Sequence, residues 1–379
     1  MARYLRKQGY ILISATTKEE KQKTKNFCFD FLKFSKVGIV EKMLFTKNLQ
    51  VMISSGVPLP RALNTLSDIV KTKKFKKVLL EVKKRVVKGE SFSQAISKYP
   101  EIFSDLFVNM IKTGEEAGTL NETLGILANQ MEKEHKIKSK IKNAMLYPTI
   151  IIVAMTGIGI LMLVMVVPNL AKTFEELNME LPITTKFIIF LGTFLAQNWY
   201  IFIAIVILFV FSFSYFSKTK QGSKIIDTIL LKAPVFSPLI KKTNSASIIR
   251  TLGSLIASGV PIARSIDITS KTINNFYYKK ALTEITQKIR KGEKLSSAMN
   301  DYQNIFPIIV IQMIKVGEET GETSVVLLKL AEFFEQEVSA TAENLSTIIE
   351  PILMLIIGGA IGFFAVSMIQ PMYSILEGI

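Results

Sequence analysis

One cysteine, Cys28, and one histidine, His135, stand in 379 residues. No intrachain disulfide, no cysteine-based zinc site and no His-Glu-x-x-His helix can therefore form. No G-x-x-x-x-G-K-[ST] phosphate loop occurs either. No strand pattern is sustained beyond the first fifteen residues, and no nucleic-acid-binding motif accompanies the positive charge. The sequence offers no catalytic constellation, no cofactor site and no metal site.

Charge is also missing from three long stretches. Residues 149–167, 187–217 and 352–369 contain no Asp, Glu, Lys, Arg or His. The middle one has a soft break at Gln197-Asn198. A helix needs roughly 20 apolar residues to cross a bilayer, so three spans are expected. Ion and proton carriers usually place ionisable groups at membrane depth. A transporter or permease-like component, the rival reading, therefore lacks the residues it needs. Proline marks the edges of two stretches: Pro148 and Pro168, then Pro351 and Pro371. The stretch "YILISA" near the start is too short for a signal peptide.

What is present is a strong positive balance, net +16, and a duplication. "ISSGVPLPRAL" (53–63) returns as "IASGVPIARSI" (256–266), and Gly56 pairs with Gly259 at an offset of 203. At the same offset "KGESFSQA" (88–95) pairs with "KGEKLSSA" (291–298), and "MIKTGEEAG" (110–118) with "MIKVGEETG" (313–321). The period is far too long for a solenoid and reads as a duplicated domain.

Residues 1–144 hold 28 basic and 14 acidic side chains, and residues 218–351 hold 17 and 13. The loop 168–186 and the short tail are slightly acidic. By the positive-inside rule the N-terminus and both repeats face the cytoplasm, and the loop and tail lie outside. The basic run Lys71 to Glu90 reads as a solvated face, a site for anionic lipid headgroups or a site for an acidic partner.

Within each repeat, apolar residues recur on one face: Phe45, Leu49, Met52, Ile53 in the first and Ile248, Leu252, Leu255, Ile256 in the second. Gly56 and Gly259 suit a left-handed helix end, and Pro58 and Pro261 suit the first turn of the next helix. Gly114, Gly118, Gly317 and Gly321 are expected to shape a turn, with a helix from about Phe103 ending at Gly114. Thr119 and Glu122 have capping-box spacing; the second copy has Glu322 and Val325 there. Capping needs one carboxylate at most, yet both recur. Glu115, Glu116, Glu318 and Glu319 are therefore candidates for contacts between bundles, between subunits or with a partner. Gly358 and Gly362 have the spacing of a close-packed span interface.

These residues together resemble the type II secretion system F family. The "FTKNLQVMISSGVPL" helix, the "MIKxGEExG" turn, the Tyr-Pro entering the first span and the Glu-Pro entering the third carry the resemblance over roughly residues 36–379. Members of the family usually begin with a further segment before an "LRxQG" stretch, whereas "YLRKQGYILI" begins here almost at Met1. The following "KQKTKNFCFDFLKFSK" either lies on the membrane surface or packs on a neighbouring subunit.

The resemblance implies an all-α inner-membrane platform of two homologous cytoplasmic antiparallel bundles of six-helix type and three spans. Its implied boundaries are 1–35 for a basic segment, 36–143 for the first bundle and 144–168 for a span. Residues 169–186 then form a loop, 187–217 a span, 218–350 the second bundle, 351–371 a span and 372–379 a tail. The implied partners are a cytosolic hexameric ATPase, pilin or pseudopilin subunits, other inner-membrane assembly proteins, lipids and further copies of the chain.

Overall fold

The structure, a computed structural model, describes residues 37–176 and 181–377. The expectations for residues 1–35 and for the centre of the outer loop lie outside the described residues. Every regular element among the described residues is helical.

The first repeat is six helices: α1 (Ile39–Ser54), α2 (Leu59–Ile69), α3 (Lys73–Val87), α4 (Phe92–Ser97), α5 (Asp105–Glu116) and α6 (Leu120–Ala144). The chain continues through α7 (Leu146–Leu161), a π-helical turn (Met162–Val166) and α8 (Val167–Glu176). Helices α9 (Ile183–Gln197), α10 (Trp199–Lys218) and α11 (Lys220–Lys232) follow. The second repeat is α12 (Ser237–Ala257), α13 (Ile262–Thr272), α14 (Phe276–Arg290), α15 (Leu295–Asn300), α16 (Ile308–Thr320) and α17 (Thr323–Glu377).

Each bundle closes on aromatic residues at matched positions. Phe75 and Phe103 have ring centroids 6.1 Å apart, and their counterparts Tyr278 and Phe306 are 5.2 Å apart. Tyr278 carries its extra hydroxyl into the core by donating to the Ile305 carbonyl at 2.7 Å, as a buried polar group must. The first and last helices of each bundle show a compensated exchange of size. In the first repeat Gln50 lies over Gly125, where a Cβ would come within 2.8 Å of its amide nitrogen. In the second the roles invert: Gly253 lies against Leu328, with the nearest atoms 3.2 Å from a Cβ.

All six positive-φ glycines among the described residues form three pairs at the duplication offset: Gly56 and Gly259, Gly89 and Gly292, Gly118 and Gly321. At Gly56 the amide donates to the Ile53 carbonyl and Val57 donates to Met52, the double bond pattern of a left-handed helix stop. Gly259 and Val260 repeat it on Ile256 and Leu255. Pro58 and Pro261 stand one residue earlier than expected, as the N-caps of α2 and α13.

The helices that leave the bundles correct the reading of the prolines. Residues 120–176 form one helical run of 57 residues, and 323–370 another of 48; with Trp199–Ser217 these are the three segments long and apolar enough to cross a membrane. Pro148 only loosens the first run at Met145, and Pro351 does not interrupt α17. Pro168 does not end its helix: the π-helical turn just before it shifts the hydrogen-bond ladder by one residue, so the missing N–H costs no regular bond. Pro371 likewise lies inside α17. The apolar stretch 187–217 is two helices, broken at Asn198, where φ −120° and ψ 35° leave the helical region. Helix α9 folds back on the first run, and Gly192 permits this because a Cβ there would lie 2.5 Å from the Leu163 carbonyl oxygen.

Candidate functional site

The repeated Gly-Glu-Glu-x-Gly stretch is helical through its first three residues in the first copy and its first four in the second. Helix α5 ends at Glu116 and α16 at Thr320, so Gly114 and Gly317 do not end a helix or shape a turn. They are buried where two helices cross. A Cβ on Gly114 would stand 2.3 Å from Thr123 Oγ1, and one on Gly317 3.0 Å from Thr323 Cα. Of the four glycines expected to shape a turn, only Gly118 (φ 72°) and Gly321 (φ 76°) do so, each as a left-handed stop. The capping box is not formed either. Thr119 is the N-cap of α6, but its side chain makes no cap bond.

The two carboxylates of each pair separate. Glu115 turns inward onto the start of α4. Its Oε1 accepts the Phe92 N–H at 2.6 Å, and its Oε2 accepts the Ser93 N–H at 3.0 Å and the Ser93 hydroxyl at 2.8 Å. Glu318 does the same at α15, accepting from Leu295 N at 2.6 Å, Ser296 N at 3.2 Å and the Ser296 hydroxyl at 2.5 Å. A six-residue helix exposes as many orphan N–H groups as a long one, and a carboxylate at its positive end satisfies them. In the first repeat Ser91 adds a local cap on Gln94; in the second Lys294 has none, and the distant carboxylate does the work alone.

Glu116 and Glu319 point outward. Each is more than half exposed, and each has only a long i,i+4 approach to a lysine, 3.8 Å to Lys112 and 4.0 Å to Lys315. Glu116 rims a shallow cleft of about 450 Å³ with Lys112, Gln94 and Ser97. The geometry thus gives the recurring pair two jobs. One carboxylate holds the bundle together and one is presented to solvent.

Other matched bonds carried no signal of function in the sequence. Tyr99 donates to Glu81 at 2.5 Å and Tyr302 to Glu284 at 2.5 Å, both at the same offset. Burial, together with Glu284, pushes the Tyr302 phenol up to about 12. The junction between the repeats holds a buried ion pair, Arg250 Nε to Glu335 Oε1 at 2.7 Å, with Lys133 3.5 Å from the other oxygen. Gln130 lies beside it, bonded to Thr251 at 3.3 Å and accepting from Ser254 at 3.1 Å. Among the described residues nothing lies within 4 Å of a Cβ at Gly358 or Gly362.

The comparisons with known proteins match this architecture. The family described as "Type II secretion system (T2SS), protein F" matches twice, over residues 45–168 and 248–371. The second match begins and ends 203 residues after the first. The chain belongs to the type II secretion system protein F family. It is 36% identical over 338 residues to "Type IV pilus assembly protein PilC" of Myxococcus xanthus, covering 89% of this chain and 81% of that one. It is 33% identical to the PilC of Thermus thermophilus over 89% of this chain and 83% of that one. To "Type II secretion system protein F" of Xanthomonas campestris it is 30% identical, over 88% and 82%. Proteins of the F family are structural platform proteins of secretion and pilus machines. Membership and the three apolar helices support an inner-membrane location.

Proposed function

We propose that this chain is the inner-membrane platform of a type IV pilus or type II secretion machine, and that it couples a cytosolic hexameric ATPase to the assembly of pilin-like subunits. The observation that carries the reading is the pair of long helical runs, 120–176 and 323–370, each joining one bundle to one span. A push or rotation applied to either bundle reaches the bilayer along a helical path, loosened in the first run only at Met145. A helix rises 1.5 Å per residue, so each run carries a displacement over roughly 70 Å or more. The chain itself performs no catalysis in this reading. Pilins or pseudopilins and other inner-membrane assembly proteins are the further partners, and nucleic acid is not one.

Both bundles face the cytoplasm in this reading, supported by the basic flanks of the first span. The outward carboxylates Glu116 and Glu319 are the surface points proposed for partner contact. The test is reconstitution of the full chain in lipid with the cognate ATPase. The expected result is no ATP hydrolysis by the chain alone and an altered hydrolysis rate of the ATPase when the chain is added. An ATPase that neither binds the chain nor changes rate would falsify the coupling. Labelling of Ser223→Cys, but not Asn178→Cys, from outside intact cells would invert the topology.

A further inference from the structure

The contact between the two repeats is heterologous: it uses one face of the second repeat and a different face of the first. From the second repeat, Leu255, Val260 and Ile268 are buried in the core of the first. From the first, Thr113 lies against Gly259, Gln130 bonds Thr251 and Ser254, and Asn109 accepts a hydrogen bond from Arg264 at 3.0 Å. Leu106, Gln130, Ser247 and Thr272 line one cleft at this junction. Because the repeats are homologous, each face exists twice, and one example of each is unused among the described residues.

At five matched positions the unused faces are apolar where the used ones are polar; Leu106 and Ile309 are apolar in both, and Thr65 replaces Ile268 in the opposite sense. On the first repeat, Leu44, Val51 and Ile69 occupy the positions of Ser247, Ser254 and Thr272. On the second, Ile309, Val316 and Phe333 occupy those of Leu106, Thr113 and Gln130. These six side chains are between 42% and 57% exposed. The changes match across the contact. At the positions of the internally bonded Gln130 and Ser254 stand Phe333 and Val51, a polar pair exchanged for an apolar one, much as Gln50 over Gly125 is replaced by Gly253 against Leu328. The polar rim is kept: Arg61 stands where Arg264 does and Gln312 where Asn109 does, both exposed. An exposed apolar patch with a polar rim marks an interaction surface.

We infer that the Leu44/Val51/Ile69 face of one copy docks on the Ile309/Val316/Phe333 face of a second copy of this chain, repeating between molecules the junction that joins the repeats within one. A head-to-tail contact of this kind closes a ring or extends a row, according to its rotation. The counterparts Lys140 and Glu343 meet side by side inside the chain, so the operator relating the repeats shifts them little along the exit helices. Repeating it leaves the next copy's spans in the same bilayer. The inference deepens the self-association implied by the platform reading and does not depend on the ATPase.

The test uses the full chain in native membranes with Cys28→Ser throughout. One tagged copy carries Val51→Cys and a differently tagged copy carries Phe333→Cys. The expected result is a mixed-tag disulfide dimer, with none from Val51→Cys paired with itself or Phe333→Cys with itself. Gln130→Cys with Ser254→Cys on one chain supplies the internal control. In a second arm, Val51→Glu alone and Phe333→Lys alone each lose the oligomer, and a chain carrying both regains it. Same-residue dimers, capture of the ATPase or of residues 1–36 at Phe333→Cys in place of a second copy, or no rescue would overturn the inference. If an amine-reactive cross-linker still yields oligomers while the mixed disulfide fails, this face is wrong and self-association stands. If no oligomer is found by either route, both fall.

Discussion

Lys140 Nζ lies 3.5 Å from Glu343 Oε1, and the two residues are counterparts across the duplication. The exit helices of the two bundles therefore touch at the same level. The pair itself contributes little, since both side chains are at least half exposed and such pairs are worth about 0–1 kcal/mol. Its value is geometric: it marks where the two exit helices run side by side. We predict that Lys140→Glu leaves the melting temperature of the full chain almost unchanged. We also predict that a reducible linker joining Lys140→Cys to Glu343→Cys stops fibre assembly, and that reduction restores it. Assembly that continues with the helices joined would mean that no relative movement is needed there.

The inward and outward carboxylates should behave oppositely. Glu115 and Glu318 each accept three hydrogen bonds at the start of a short helix. Bonds to a charged group are worth about 1.5–3 kcal/mol. Glu115→Lys and Glu318→Lys are expected to lower the stability of the detergent-solubilised chain by about that amount. Glu116→Lys and Glu319→Lys are expected to leave the melt within about 0.5 kcal/mol, because they lose only a long contact with an exposed lysine. Loss of fibre assembly in the second pair with the melt intact is the outcome that supports a partner contact. Unimpaired assembly would sink it.

The glycines separate by mechanism. Gly118 needs a left-handed backbone and has open space around it, whereas Gly114 is helical and crowded by Thr123. Asparagine tolerates the left-handed region better than alanine does. Gly118→Asn should therefore cost less than Gly118→Ala, which is expected near 1 kcal/mol. At Gly114 the order reverses, with Asn worse than Ala, because overpacking costs about 1–3 kcal/mol and grows with size. Chemical denaturation of the four variants gives the order directly.

The duplication, the helical class and the three apolar segments were legible because each rests on a pattern the sequence carries locally: an offset, a 3.6-residue period, an absence of charge. What was not legible depends on partners far along the chain. Glu115 looks like any carboxylate near a helix end until Ser93 is placed against it 22 residues earlier. Gly114 and Gly118 differ by four positions and read alike, yet one is a crossing point and the other a stop, and only the position of Thr123 tells them apart. Pro168 fails as a terminator because a π-helical turn accommodates it, and no simple residue pattern announces that turn. Gly89 and Gly292 were recoverable: they lie inside the quoted "KGES" and "KGEK" pair and share the offset of the other stops.

Tyr302 gives a pH dependence. Burial and the neighbouring Glu284 carboxylate raise its folded value from 10.0 to about 12. The neutral phenol is the form that donates to Glu284. A group whose folded value is raised stabilises the fold fully below its unfolded value and loses that contribution as pH rises through the folded one. The stability difference between the natural chain and Tyr302→Phe should be constant below pH 10.0 and shrink towards about pH 12. A difference that stays flat across that window would show that the phenol is not held in its neutral form by the fold.

The pair Arg250 and Glu335 joins α12 to α17 within the second repeat, and Lys133 reaches it from the first. Both side chains are buried, the guanidinium Nε donates to Glu335 at 2.7 Å, and Arg250 Nη2 finds no partner among the described residues. Removing one member of such a pair leaves an uncompensated buried charge and costs about 3–5 kcal/mol, whereas replacing both by apolar residues is neutral or gains about 1–4 kcal/mol. Glu335→Leu alone is therefore expected to be severely destabilising, and Arg250→Met with Glu335→Leu to recover most or all of the loss. Lys133, 3.5 Å from Glu335, limits the recovery if its ammonium is stranded by the exchange. Adding Lys133→Met to the double variant should then restore the remainder. Thermal melts of the four full-length forms decide it. If Glu335→Leu melts like the natural chain, the pair is solvated in solution and does not hold α12 to α17.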